Sequence, residues 1–182
     1  MPHTLATMKA AQDDSARLPL HGVRVIEFCH MVMGPTCGMI LADMGADVIK
    51  VEPLRGDTTR RLVHQGAGFF ATYNRNKRSL ALDLKLDGGF KAAKALCADA
   101  DIVVENLRPG ALEELDLGYR ALSADNPGLI YCALKGFLDG PYAHRKALDE
   151  VVQMMAGLAY MTGPEGQPLR AGASVTDIMG GM

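Results

Sequence analysis

Paired cysteines are missing from this 182-residue sequence. Its four cysteines, Cys29, Cys37, Cys97 and Cys132, show neither CxxC spacing nor the density of a secreted disulfide scaffold, so they read as small core residues of a protein in a reducing compartment. Histidine is scarce as well: there are five, none at ligand spacing with another His, Cys or acid, and no metal site is expected. A net charge of -2 gives no electrostatic reason to expect nucleic acid or an anionic membrane as partner. Long apolar runs are absent too. The longest uncharged stretches, Phe28 to Ala42 and Val151 to Pro164, are shorter than a membrane span and are interrupted by glycine and proline. The opening "MPHTLATMKAAQDDSARLPL" has acidic residues and no apolar core, which excludes a secretory signal and suggests a mobile extension over residues 1–18. A cytoplasmic protein acting on a small molecule or another protein is the expectation.

What is present is an alternation of short apolar strands and helices. "GVRVIEF" (22–28) reads as a strand, "GPTCGMILADMGA" as a helix with Pro35 at its first position, and "DVIKVE" (47–52) as a second strand. The pattern resumes with "LALDLK" as strand, "DGGFKAAKALCADA" as a helix capped by Asp87, and "DIVVEN" as strand. "PGALEELDLGYRALSADNP" supplies one or two helical turns, "GLIYCALKGF" a buried strand, and "LDEVVQMMAGLAYMTG" one apolar helix. This order predicts an α/β fold, a Rossmann-like open, mostly parallel sheet with helices on both faces. Ligands then bind beyond the carboxyl ends of the strands, just after Phe28, Glu52, Asn106 and Gly136.

Few residues there speak for one chemistry alone. Gly34 and Gly38 follow the first strand, but their GxxxG spacing and the intervening Pro35 fit a dinucleotide fingerprint poorly. Cys29 and His30 are neighbours on a strand and so point to opposite faces, which favours Cys29 as a core residue and leaves His30 open between ligand and solvent. The basic clusters Arg75, Lys77, Arg78 and His144, Arg145, Lys146 suit either a solvated turn or an anionic ligand. Near the end, "SVTDIMGGM" places Asp177 before an apolar pair, and spacing alone makes it a helix N-cap.

The ordered set of motifs is more specific than any member of it. "LPLHGVRVIEF", "GPTCGMILADMGADVIKVEP", "GDTTR", "NRNKRSLALDLK", "DIVVENLRPGALEEL", "NPGLIYCALKGFLDGPY" and "MAGLAYMTG" together resemble the family III CoA-transferases, the group of formyl-CoA transferase, carnitine CoA-transferase and the α-methylacyl-CoA racemases. The resemblance runs from about residue 18 to the end. It implies an acyl-CoA:carboxylate CoA-transferase with coenzyme A as substrate and no tightly bound cofactor. Asp177 would be the nucleophile, forming a mixed anhydride and then an aspartyl-CoA thioester, with CoA passing to an acceptor carboxylic acid. The segments implied to line the CoA path are Val32 and Met33; Leu82, Asp83, Leu84 and Lys85; Asn106, Leu107 and Arg108; and Arg145, Lys146, Ala147 and Leu148. Their cations would meet phosphates.

Three departures qualify the resemblance. Val32 replaces a glutamine near the reaction centre, so an oxyanion donor has to come from elsewhere. Pro53 and Glu114 stand where basic residues often meet CoA. Leu148 stands where the racemases carry a catalytic histidine, which disfavours the alternative of a 2-methylacyl-CoA racemase. Family members are about twice as long and form interlocked homodimers, so residues 19–182 read as the N-terminal part of the large domain. Another alternative is therefore an inactive CoA-binding fragment, poorly soluble alone.

Overall fold

The computed structural model describes residues 18–182 of the chain. The extension expected over residues 1–18 lies outside them except for Leu18, whose carbonyl accepts the His21 N–H at 3.1 Å. Among the described residues, five parallel strands form one sheet: β1 (Arg24–Phe28), β2 (Asp47–Glu52), β3 (Arg78–Ala81), β4 (Ile102–Glu105) and β5 (Ile130–Ala133). Their order is β3-β2-β1-β4-β5. The chain winds outward from β1 in one direction and then in the other, and the reversal leaves a crevice between the carboxyl ends of β1 and β4. This is the α/β sheet that the alternation of the sequence predicts.

Side-chain alternation along β1 creates the two faces. Val25 and Cys29 join Val48, Val104 and Ala42 beneath α1 (Met33–Asp43). Ile26 and Phe28 turn the other way, toward Ile49, Val51 and Val103, and meet Ala93 and Cys97 of α3 (Asp87–Ala98) and Leu122 of α4 (Tyr119–Asp125). Helices cover both faces of the central strands β1, β2 and β4, which are buried along most of their length. The edge strands β3 and β5 are largely exposed or half-buried, so the strand expected to be buried at 128–137 is an edge strand.

α1 lies so close to β1 that side chains are excluded at two points. A Cβ at Gly34 would run into the Cys29 side chain, and one at Gly38 into Glu27 Oε2. The GxxxG spacing is thus taken up by helix-to-strand packing. Gly38→Ala is expected to lower stability by about 1–3 kcal/mol, measured by urea unfolding, because the glutamate it would displace is itself fixed by ion pairs.

Those ion pairs form a charged cluster inside the protein. Lys50 is 1% exposed; its Nζ lies 3.2 Å from Glu27 Oε1 and 3.0 Å from Asp57 Oδ2, and donates to Cys29 O at 2.6 Å. Lys77 Nζ donates to Glu27 Oε2 at 2.6 Å and to Pro35 O at 2.8 Å. Burial pushes the Lys50 ammonium down, but the carboxylates of Glu27 and Asp57 outweigh it and hold the group above its ordinary value.

Several boundaries differ from those the sequence predicts. α1 begins at Met33, so Pro35 is its third residue. β3 ends at Ala81; Leu82 N still bonds to Glu52 O at 2.8 Å, but Asp83 turns the chain by accepting the Lys85 N–H on its side chain and the Leu86 N–H on its carbonyl. Leu82 to Lys85 are therefore a turn beyond the strand. Asp87 is the first residue of α3 and not its cap, which is Leu86. The single apolar helix expected over 148–163 is two, α5 (Asp149–Met155) and α6 (Leu158–Thr162), separated at Gly157, whose φ of +84° breaks the helix.

Candidate active site

Two adjoining cavities occupy the crevice at the carboxyl ends of the strands. The first, about 630 Å³, lies between the exits of β1, β2 and β4 and is walled by Phe28, Val51, Leu107 and the turn Leu82, Asp83, Leu84, Lys85. The second, about 700 Å³, lies between the exits of β1, β4 and β5 and contains Val32, Met33, Asn106, Arg145, Lys146, Ala147, Leu148 and Asp177. His30, Leu107 and Arg108 line both and form the shared wall. All the residues that the family resemblance selects line one of these two spaces: those up to Arg108 follow strand ends, residues 145–148 come from the loop before α5 (Asp149–Met155), and Asp177 comes from a later helix.

The shared wall is built from backbone. Met31 adopts a positive φ of 63°, which lets the chain leave β1 and start α1 within four residues. Asn106 braces this corner: its Oδ1 accepts the His30 N–H at 2.9 Å and its Nδ2 donates to His30 O at 2.8 Å. Desolvation lowers the His30 imidazole, opposed by the Asp57 carboxylate. Cys29 is buried with its Sγ 3.4 Å from Val104 O, and burial raises its thiol well above the ordinary value, as suits a core cysteine.

Asp177 is the third residue of α7 (Val175–Gly181), in its first turn; the N-cap is Ser174, so the cap lies three residues before the position expected. α7 packs on α1 through glycines. A Cβ at Gly181 would run into Met33 O, and one at Gly180 would come within 3.0 Å of Met33 Cε. This contact brings Asp177 to the wall that Val32 and Met33 form. Its carboxyl is raised to about 6, chiefly by burial and further by the charges of Asp149 and Glu150. The helix start does not stabilise the ionised form enough to prevail.

The basic clusters separate into two kinds. Arg75 pairs with Asp43, Lys77 with Glu27, and Arg78 with Asp47 through Nε at 2.8 Å, so the "NRNKRS" turn is spent on the protein's own carboxylates. Arg145 and Lys146 remain exposed at the second cavity, with Arg145 stacked 4.7 Å from the Tyr142 ring. Arg108 forks onto Glu114, its Nη1 at 2.9 Å, so a phosphate reaching it at the first cavity would compete with that acid. Leu148 is 61% exposed and offers no base.

Residue-type reasoning missed three contributors. Lys135, just past β5, donates to Glu105 Oε1 at 2.5 Å and to Leu107 O at 2.8 Å, tying the β4 and β5 exits together beside the second cavity. Asp149 and Gln153 of α5 bind the segment that carries Asp177. "LDEVVQ" signals a helix start; nothing in it signals the distant partner. Among the described residues no cluster of His, Cys, Asp and Glu could hold a metal ion, and no helix is long and apolar enough to cross a membrane.

A sheet whose switch point opens onto two cavities with a common wall, and with a partly buried carboxylate lining one of them, defines a class of small-molecule site. Residues 20–182 match the model of CoA-transferase family III, and the chain belongs to that family. It is 40% identical over 185 residues to the succinyl-CoA:glutarate CoA-transferase of Mus musculus, covering 98% of this chain and 42% of the relative. It is 42% identical over 164 residues to a formyl-CoA:oxalate CoA-transferase of Rhodopseudomonas palustris, covering 87% and 39%. The crystal structure of a CAIB/BAIF family protein from Brucella suis superposes with a TM-score of 0.84 at 40% identity, over 90% of this chain and 46% of that one. The chain therefore spans about two fifths of the length of the curated relatives it matches.

Proposed function

We propose that the chain carries the CoA-binding and nucleophilic part of an acyl-CoA:carboxylate CoA-transferase that works through a covalent Asp177 intermediate. The observation that carries this reading is the position of Asp177: a partly buried carboxylate, raised to about 6 by burial and by Asp149 and Glu150 beside it, in the wall of the second cavity, which shares His30, Leu107 and Arg108 with the first. CoA would thread both cavities, its apolar parts against Leu82, Leu84 and Leu107, its phosphates near Lys85, Arg108, Arg145 and Lys146, and its thioester at Asp177.

Asp177 Oδ attacks the thioester carbonyl, the C–S bond breaks, and CoA leaves as thiolate, giving a mixed anhydride. The thiolate attacks the Asp177 acyl carbon and expels the donor acid, leaving an aspartyl-CoA thioester. An acceptor carboxylate repeats the two steps in reverse and frees Asp177. A carboxylate is a weak nucleophile, so the gain comes from holding it against the carbonyl and from desolvation, which makes it more basic. The acceptor is a small carboxylic acid, the class named in both relatives above. Met154, Met155, Tyr160, Met161 and Met179 are 50–77% exposed on α5 to α7. In the whole protein we place the remaining chain and the second subunit of an interlocked dimer against them.

The test incubates the full-length enzyme with acyl-CoA, traps with hydroxylamine and maps the adduct by mass spectrometry. A hydroxamate at Asp177 is expected, and an unmodified Asp177 during turnover overturns the proposal. Deuterium wash-in at the substrate α-carbon without an acceptor acid would establish the racemase instead.

A further inference from the structure

Asp177 owes its place to side chains on another helix. Asp149, the first residue of α5, is 4% exposed. Its Oδ1 accepts the Thr176 N–H at 2.9 Å, the Thr176 hydroxyl at 2.6 Å and the Asp177 N–H at 3.2 Å. Gln153, one turn along the same face and fully buried, donates from Nε2 to Asp149 Oδ2 and, at 3.2 Å, to Ala173 O, while its Oε1 accepts the Ala171 N–H at 2.7 Å. Arg170 adds its guanidinium 3.7 Å from Asp149 Oδ2. Ser174, the N-cap of α7, makes no side-chain cap bond of its own. The first turn of α7 is therefore capped from outside, and α5 grips the chain from residue 170 to residue 177.

We infer that Asp149, held by Gln153, is the positioning residue of Asp177: it fixes the first turn of α7 so that the Asp177 carboxylate faces the cavity at a set distance from the thioester. The inference rests on Asp177 being the nucleophile. Asp149 has a second effect, because an anion whose acceptor oxygen bonds the Asp177 N–H also raises the basicity of the Asp177 carboxylate. The other charged or titratable groups around Asp177 are Glu150 on α5, Tyr73 on α2 (Phe69–Tyr73), whose hydroxyl is raised by burial and by Asp177 itself, and Arg145 and Lys146 in the cavity wall. α1 presents Met33 and Thr36, which are uncharged. A carboxylate at position 149 is thus able both to aim its neighbour and to tune it.

The experiment compares Asp149→Asn, Asp149→Ala and Asp177→Asn in the full-length enzyme over pH 5 to 8. Asp149→Ala removes the cap, and kcat is expected to fall about 100-fold, the cost of a misplacement of the order of 1 Å. KM for acyl-CoA should stay within about twofold, since the ground-state contacts with CoA are elsewhere. Asp149→Asn keeps one acceptor oxygen but not the charge; kcat should fall about tenfold, and the acid limb of the pH-rate profile should move to lower pH by about half a unit. A purely structural role would not move that limb. Should Asp149→Ala fail to fold, the limb of Asp149→Asn decides. If both Asp149 variants keep the parental kcat and limb while Asp177→Asn is dead, the positioning inference is overturned and the nucleophile stands. If Asp177→Asn turns over normally, the reading beneath it is overturned as well.

Discussion

Asp177→Asn is expected to abolish CoA transfer by about 10⁴-fold or more in the full-length enzyme and, at the same time, to make the protein more stable at pH 8. The first effect follows from the nucleophilic role proposed for Asp177. The second follows from the shift of its carboxyl to about 6. In the unfolded chain an aspartate ionises near 4, so between pH 4 and 6 the folded state holds its proton more tightly, and stability falls as pH rises. Above pH 6 the penalty is complete; below pH 4 it is absent. A two-unit shift corresponds to at most about 3 kcal/mol, and the partial exposure of the group reduces this to about 1–2 kcal/mol. Denaturant unfolding of the chain should show the variant gaining this amount at pH 8 and nothing at pH 4. An equal gain at both pH values would mean that ionisation is not the cause.

The largest stability effect is expected at Lys50. Lys50→Met leaves Asp57 in the interior without the ammonium that lies 3.0 Å from it and Glu27 with that of Lys77 alone, and a loss of about 3–5 kcal/mol should follow in urea unfolding. Adding Asp57→Asn should recover part of the loss, because the charge that Lys50 alone paired is then neutral, while Glu27 keeps Lys77. No recovery would show that the damage is geometric. Geometry is also involved: Lys50 binds the carbonyl of Cys29, the residue before the wall shared by the two cavities.

The sheet and its faces were legible in the sequence because apolar runs such as "RVIEF" and "IVVE" are short, separated by helices and buried on both sides. The boundaries that slipped have local reasons. "LALDLK" alternates like a strand, yet Asp83 uses both its side chain and its carbonyl to turn the chain, and Gly89 at the start of α3 packs on that carbonyl. "LDEVVQMMAGLAYMTG" has helical periodicity throughout, and only the left-handed Gly157 divides it. Topology pointed to the segments beyond the strand ends, and the family resemblance chose Val32, four residues past β1, and Asn106 and Leu107, just past β4. The charge cluster could not: Glu27 and Lys50 sit at strand positions, Lys77 in a turn rich in cations, and their meeting depends on Gly38 admitting Glu27 beneath α1. Asp149 was legible as a helix start and not as a partner of Asp177, because 28 residues separate them.

The Asn106 amide that holds the His30 peptide from both sides does what a further rung of the β1–β4 ladder would do. A side chain can supply that rung where a backbone cannot, because at this point the two strands have already diverged into separate loops. The partition between the cavities is in effect one residue of β-sheet grown past the end of the sheet. A long, flexible substrate crossing it would bend over a fixed edge, so the freedom lost on binding is the substrate's and not the protein's.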